Sequence, residues 1–396
     1  MQPVNVIIIN CKIYVKLKLK MWFFILIGEA VLNFIYLFYK LIPTQNRITI
    51  ISKQEDEPSE DIVMLAEELG KHTTARVDVM CKTIGTGKIR KLEYLAYMMT
   101  KQLPALASSK AVVLDGYCVS VSILKHKKSL MVFQMWHATG AIKKFGYYVV
   151  DKKEGYSKQT VKNMKMHKNY NVIFVGSEAC KELMAPAFGY STDVACVSPL
   201  PRIDKIVNKK LREAGINAVL GKYPGLKEKK VIFYAPTFRE QIDMKPFIEK
   251  LIKAVDYERY NLVIKLHPHT TCGFSPGRSI LVDDFSSTDL LNVCDCFVTD
   301  YSSVAFEAAL AGKPIFRYVP DYDEYARERG LFDTDKELPA YCSGDADEIM
   351  KAISENKYDM ALLQAFAKKY IDARENNSAY MSNQIVELSG LKKQAS

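Results

Sequence analysis

Histidine is scarce in this chain, six in 396 residues, yet His137, His267 and His269 each follow closely on a run of β-branched and aromatic residues. A side chain just past a strand projects into the region where open α/β sheets hold their ligands. Imidazole there can accept a proton near neutral pH or hydrogen-bond an oxyanion. Transfer of a phosphate-linked group to a hydroxyl needs a base beside the attacking oxygen. It also needs cationic or hydrogen-bonding groups along a diphosphate whose charge grows as the nucleotide leaves. His137 suits the base, and His267 and His269 suit the diphosphate. Arg202 and Arg239 also follow strand-like runs, and a planar guanidinium fork matches phosphate oxygens in a way that lysine does not.

The densest motif, CDCFVTDYSSVAFEAALAGKP (294–314), reads as strand, turn and helix. Asp300 closes the strand, and Ser302 and Ser303 open the helix, where hydroxyls and free backbone N–H groups can meet a phosphate. Capping accounts for one of the two serines. Glu307, four residues after Ser303, shares its helix face and could accept hydrogen bonds from ribose hydroxyls. This stretch resembles the nucleotide half of a GT-B transferase. Thr237, Arg239, His269, Asp300, Ser302, Ser303 and Glu307 are therefore expected to meet a nucleotide donor. Thr139, Gly140, Lys143, Ser177 and Arg202 are expected on phosphate or acceptor. No Walker A loop, G-x-G-x-x-G, kinase set, H-E-x-x-H or G-x-S-x-G occurs. Neither a metal nor a cofactor is expected.

The elements that must position these residues alternate between short apolar runs and helix-like stretches. RITIIS (47–52), RVDVMC (76–81), AVVLD (111–115), LMVFQMW (130–136), NVIFVG (171–176) and DVACVS (193–198) form one series. After LKEKK (226–230) the pattern restarts with VIFYAP, LVIKLHP, SILVDD, DCFVTD and PIFRYVP (231–320). This is the signature of parallel sheets. The fold class is α/β, GT-B-like: two Rossmann-like domains facing across a cleft. The divisions expected are a membrane-associating segment (1–45), an acceptor-side domain (46–225), a donor-binding domain (226–375) and a C-terminal tail (376–396).

The net charge of +10 asks for an anionic partner, a phosphorylated substrate or an acidic membrane surface. With no zinc finger or RNA-binding aromatic pair, nucleic acid is not expected. The lysine-dense stretch 143–168 reads either as a solvated helix face or as attraction to phosphate or anionic lipid. Nine scattered cysteines, without a C-x-x-C pair, suit reduced thiols in cytosol. Residues 21–42 are almost wholly apolar and long enough to span a bilayer. However, Glu29, Asn33, Tyr36 and Lys40 form one polar stripe at helical spacing, and Lys12, Lys16, Lys18 and Lys20 precede it. Spanning would send the remainder of the chain away from nucleotide-activated substrates, so a monotopic anchor on an anionic cytoplasmic face is expected; a buried helix of the first domain is the other reading.

Taken in order, QMWHATGAIKKFG (134–146), VGSEAC (175–180) with AFGY (187–190), PRID (201–204), YAPTFRE (234–240), VIKLHPH (263–269) and TDYSSVAFEAALAGKPIFRY (299–318) resemble the CDP-glycerol glycerophosphotransferases of teichoic acid synthesis. The resemblance covers about residues 110–340. It implies attack of an acceptor hydroxyl on the β-phosphorus of CDP-glycerol with release of CMP, and peripheral association with the inner membrane face. It also implies His137 as base, His267 as the second essential histidine, and Ser302, Ser303 and Glu307 on the nucleotide. Residues 136–146 look closer to the primases, which act on a lipid-linked saccharide, than to the polymerases. A CDP-ribitol donor, polymerase activity, a GT-B nucleotide-sugar glycosyltransferase, a membrane-bound scaffold and a homo-oligomer stay open.

Overall fold

The computed structural model describes residues 25–239, 242–267, 270 and 273–394. The expectations on residues 1–24 and on His269 lie outside them. Strands β1 (Arg47–Ser52), β2 (Arg76–Cys81), β3 (Ala111–Leu114), β4 (Met131–Gln134), β5 (Val172–Val175) and β6 (Ala195–Val197) form one sheet in the order β2-β1-β3-β4-β5-β6. A second sheet has the order β12-β11-β10-β7-β8-β9. Its strands are β7 (Lys230–Tyr234), β8 (Tyr260–Ile264), β9 (Ile280–Leu281), β10 (Cys296–Thr299), β11 (Ile315–Tyr318) and β12 (Tyr341–Ser343). All pairings are parallel. Every strand-like run of the sequence carries a strand. The edge strand β12 is only three residues long and partly exposed, too short to show a period.

Alternation along the strands divides the core. Ile48 and Ile50 join Ile62, Leu65 and Leu69 on one face of the first sheet. Ile232 and Tyr234 join Ile248 and Leu251 on one face of the second. The opposite faces, with Ile51, Val112, Phe233 and Phe297, belong to a single apolar cluster that crosses the seam between the halves through Phe306, Phe366 and Tyr370.

The stretch from 376, expected as a tail, is instead helical. The Asn377–Leu388 helix packs Met381, Ile385 and Val386 into the core of the first half. Its start is held by the buried Asp204, which accepts from Asn377 Nδ2 at 2.9 Å and Ser378 N at 3.0 Å. The chain thus crosses back to the first half after the Met360–Tyr370 helix.

The helix at 25–39 is apolar on the outside. Its polar stripe turns inward: Asn33 Oδ1 accepts from Lys125 N at 2.8 Å and the buried Tyr36 hydroxyl meets His126 Nδ1 at 3.0 Å. Just past the helix, Lys40 Nζ donates to Lys125 O at 3.1 Å, and Glu29 pairs with Lys165. Phe34 and Phe38 are left 61% and 60% exposed, and Leu41 beyond the helix 80%. Among the described residues, no helix is long and apolar enough to cross a membrane.

Candidate active site

The residues beyond the carboxyl ends of β4, β7, β8 and β10 enclose one cleft of about 750 Å³. His137, Gly140 and Lys143 line it from the first half; Thr237, His267, Ser302 and Ser303 line it from the second. His137 sits at a sharp turn after β4. Trp136 adopts φ of 62°, a left-handed conformation that costs an ordinary residue about 1–3 kcal/mol and persists only where its surroundings impose it. They do so here. Trp136 N donates to Gln134 Oε1 at 2.9 Å, Gln134 Nε2 donates to Gly116 O at 3.1 Å, and the indole is stacked on Phe145 with centroids 5.2 Å apart.

The turn carries the His137 ring to Asp115, whose carbonyl oxygen lies 2.9 Å from Nδ1. A carbonyl only accepts, so Nδ1 carries the proton and Nε2 is left as the basic nitrogen. The Gln54 amide nitrogen is farther from Nδ1, at 3.4 Å, and as a donor cannot share that arrangement. The ring is exposed to the cleft, and protein surrounds it beyond that opening. Enclosure, together with the positive charges of Arg202, Lys143 and His267, lowers its pKa to about 4 against the opposing Asp115 carbonyl. His137 is therefore neutral at physiological pH. Opposite, the His267 ring stacks on Phe238 with centroids 5.5 Å apart. Lys143 lies beside them with its pKa lowered to about 8, chiefly by burial.

Other expected contacts lie elsewhere. Arg239 is buried and ion-paired to Asp300 at 2.7 Å and Asp321 at 2.8 Å, and Asp300 also accepts from Thr237 N at 2.8 Å. Burial raises the Asp300 pKa, but Arg239 outweighs it and the carboxyl stays below its usual range. The two hold the loop after β7 in place; neither lines the cleft. Ser177 is buried and donates to Lys369 O at 2.8 Å. Thr139 donates to Glu307 at 2.7 Å across the seam between the halves, and Arg202 reaches His137 O at 2.6 Å. Glu307 is 4% exposed and lies in that seam, away from the cleft surface where a ribose was expected. The four-residue spacing from Ser303 did not carry Glu307 into the cleft, because the helix buries that carboxylate against Thr139 and Arg202. Among the described residues, no three His, Cys, Asp or Glu side chains gather as a metal site requires.

Sequence reading passed over Lys53, Tyr117, Tyr156, His167 and Arg329, which also line the cleft. Lys53 lies over the Tyr117 ring at 5.0 Å, and burial lowers its pKa. It follows β1, as His137 follows β4, so its place after a strand was the available signal.

Residues 34–388 match the family described as CDP-glycerol:poly(glycerophosphate) glycerophosphotransferase. The chain belongs to this family and is an enzyme of that class. It is 30% identical over 352 residues to the teichoic acid ribitol-phosphate primase of Bacillus spizizenii, covering 86% of this chain and 90% of that one. With the teichoic acid glycerol-phosphate primase of Bacillus subtilis it shares 28% over 291 residues, 71% and 74% of the two chains. Its fold matches that of the wall teichoic acid polymerase TagF, with a TM-score of 0.72 at 18% identity, covering 93% of this chain and 98% of that one. The two-sheet α/β expectation therefore stands. A TagF variant soaked with CDPG superimposes with a TM-score of 0.71.

Proposed function

We propose that this glycerophosphotransferase-family enzyme of teichoic acid synthesis transfers glycerol phosphate from CDP-glycerol to a hydroxyl of a lipid-linked saccharide. The observation that carries the reading is a neutral His137 with a free Nε2, facing His267 across a cleft that also holds Lys143, Ser302 and Ser303. The acceptor oxygen attacks the β-phosphorus and its proton passes to Nε2 of His137. The bond from that phosphorus to the bridging oxygen breaks, and CMP leaves with the electron pair. Lys143 and His267 offset the growing charge on the diphosphate, and Ser302, Ser303 and Thr237 hydrogen-bond the donor.

The exposed apolar side of the helix at 25–39 supports docking on an anionic cytoplasmic membrane surface, as a monotopic rather than spanning contact. Phe34 and Phe38 have no protein layer over them among the described residues, and the Glu29–Lys165 pair ties this helix to the turn whose Met166 and His167 line the cleft. The acceptor's lipid then stays in the bilayer while its saccharide reaches His137. A second reading, a CDP-ribitol donor, is favoured by the near full-length match to a ribitol-phosphate primase.

The test is CMP release from CDP-glycerol or CDP-ribitol with a lipid-linked disaccharide, wild type against His137→Ala. Acceptor-dependent release that falls by at least about 100-fold in the variant supports transfer and base together. Release from CDP-ribitol alone overturns the donor, and activity retained by His137→Ala overturns the base.

A further inference from the structure

The loop that carries the proposed base is held by Arg202 of its own half and by Phe306 and Glu307 of the opposite half. Arg202 Nη2 donates to the backbone oxygen of His137 at 2.6 Å, and Arg202 Nε lies 3.4 Å from Glu307 Oε1. That same oxygen accepts from Thr139 Oγ1 at 2.7 Å, two residues beyond the base. Gly140 closes the contact: a Cβ there would come within 2.4 Å of the Phe306 ring. Phe306 and Glu307 both belong to the Val304–Leu310 helix of the donor half, which follows Ser302 and Ser303. Glu307 Oε2 is buried with no hydrogen-bond partner, and the charge of Arg202 and the Thr139 hydroxyl are the chief groups that offset the desolvation of this carboxylate.

We propose that Arg202 and Glu307 are positioning residues, which fix His137 relative to the donor-binding serines and touch no substrate. The proposal rests on the reading of His137 as base. Burial beside a charge partner makes the pair intolerant of small changes: the carboxylate has lost its water and relies on the Thr139 hydrogen bond and the nearby Arg202 charge. A change at either residue therefore moves the base while leaving the donor's own contacts in place. The charged groups around Arg202 and His137 are Asp61 and Glu60 from the Glu60–His72 helix, Glu307, Lys143 and His267. Arg202 lowers the His137 pKa, so its removal raises it.

The experiment compares Glu307→Gln, Arg202→Lys, Arg202→Met and the milder Thr139→Val for CDP-glycerol affinity by calorimetry and for acceptor-dependent CMP release. Donor affinity should stay within about twofold in all four, while kcat falls by about 100-fold in the first three and about tenfold in Thr139→Val. Arg202→Met should also move the acid limb of kcat/KM to higher pH. Arg202→Lys, which keeps the charge but cannot bridge both partners, should lose rate with the limb in place. A limb that does not separate these two variants overturns the proposal, because a general loss of structure would treat them alike. Loss of donor affinity with kcat kept in Glu307→Gln makes Glu307 a nucleotide ligand and also overturns it. If the harsher variants fail to fold, Thr139→Val decides: unchanged kcat overturns the proposal. Full activity of His137→Ala sinks the reading of the base itself, a separate outcome.

Discussion

The carbonyl oxygen of Asp115 and Nδ1 of His137 lie 2.9 Å apart, and that contact selects the tautomer that leaves Nε2 basic. A base of this kind works only while neutral. An unperturbed imidazole would lose activity as pH falls through about 6.5. Enclosure lowers the pKa of His137 to about 4, so it stays neutral well below that. The expected kcat/KM therefore shows no histidine limb between about pH 5 and 7. A fall centred near 6.5 in a pH–rate series would show that the ring is not enclosed in the working enzyme.

Lys143 bounds the other side. Its ammonium is the charged form, and the pKa is lowered to about 8. The charge offered to an arriving diphosphate is present below that and fades above it. The free enzyme should lose kcat/KM above about pH 8, and Lys143→Arg should remove the limb because guanidinium stays charged. The limb on kcat should lie higher, since a bound diphosphate holds the lysine protonated. Identical alkaline limbs in wild type and variant would exclude Lys143 as their source.

Gly140→Ala forces a Cβ to within 2.4 Å of the Phe306 ring. Overpacking of this kind costs about 1–3 kcal/mol and should separate the His137 loop from the second half. Gly140→Ala should lower both the urea midpoint and kcat, and adding Phe306→Leu should restore most of each. If Gly140 were needed only for close approach of a phosphate, the second substitution would rescue nothing. That comparison decides its role.

His167 is 4% exposed, with its pKa lowered to about 4 by burial and then by Lys53. The unfolded chain binds this proton from about pH 6.5 downward, the folded chain only from about 4. Its contribution is present above 6.5 and lost between those values as pH falls, to an extent of roughly 3 kcal/mol. Urea unfolding at pH 7 and pH 4.5 should show His167→Phe losing less stability on acidification than the wild type. An equal loss would assign the acid sensitivity to other groups, His126 among them.

Much of this was legible locally. RITIIS shows its strand residue for residue, because a run that is buried in a parallel sheet must be apolar or β-branched along its length, whereas RVDVMC, the partly exposed edge strand, shows through its alternating β-branched residues. The helix at 25–39 showed its polar stripe at helical spacing, but which side of the stripe meets protein depends on whether a partner exists. Asn33 and Tyr36 found theirs in residues 123–126, about 90 positions away.

The sequence by itself determined the elements, the polar residues after the strands, and through their order the family. Each of these is a property of residues close together in the chain. Only the tertiary structure decided which polar residues reach the cleft. Ser302 and Glu307 are five positions apart on one motif, yet one lines the cleft and the other is buried against Thr139 and Arg202. Arg239 is similar, drawn to Asp300 and Asp321 instead of a donor phosphate. The physical reason is that a charged side chain goes where a partner offsets its desolvation, and that partner lies 61 to 168 positions away in these cases.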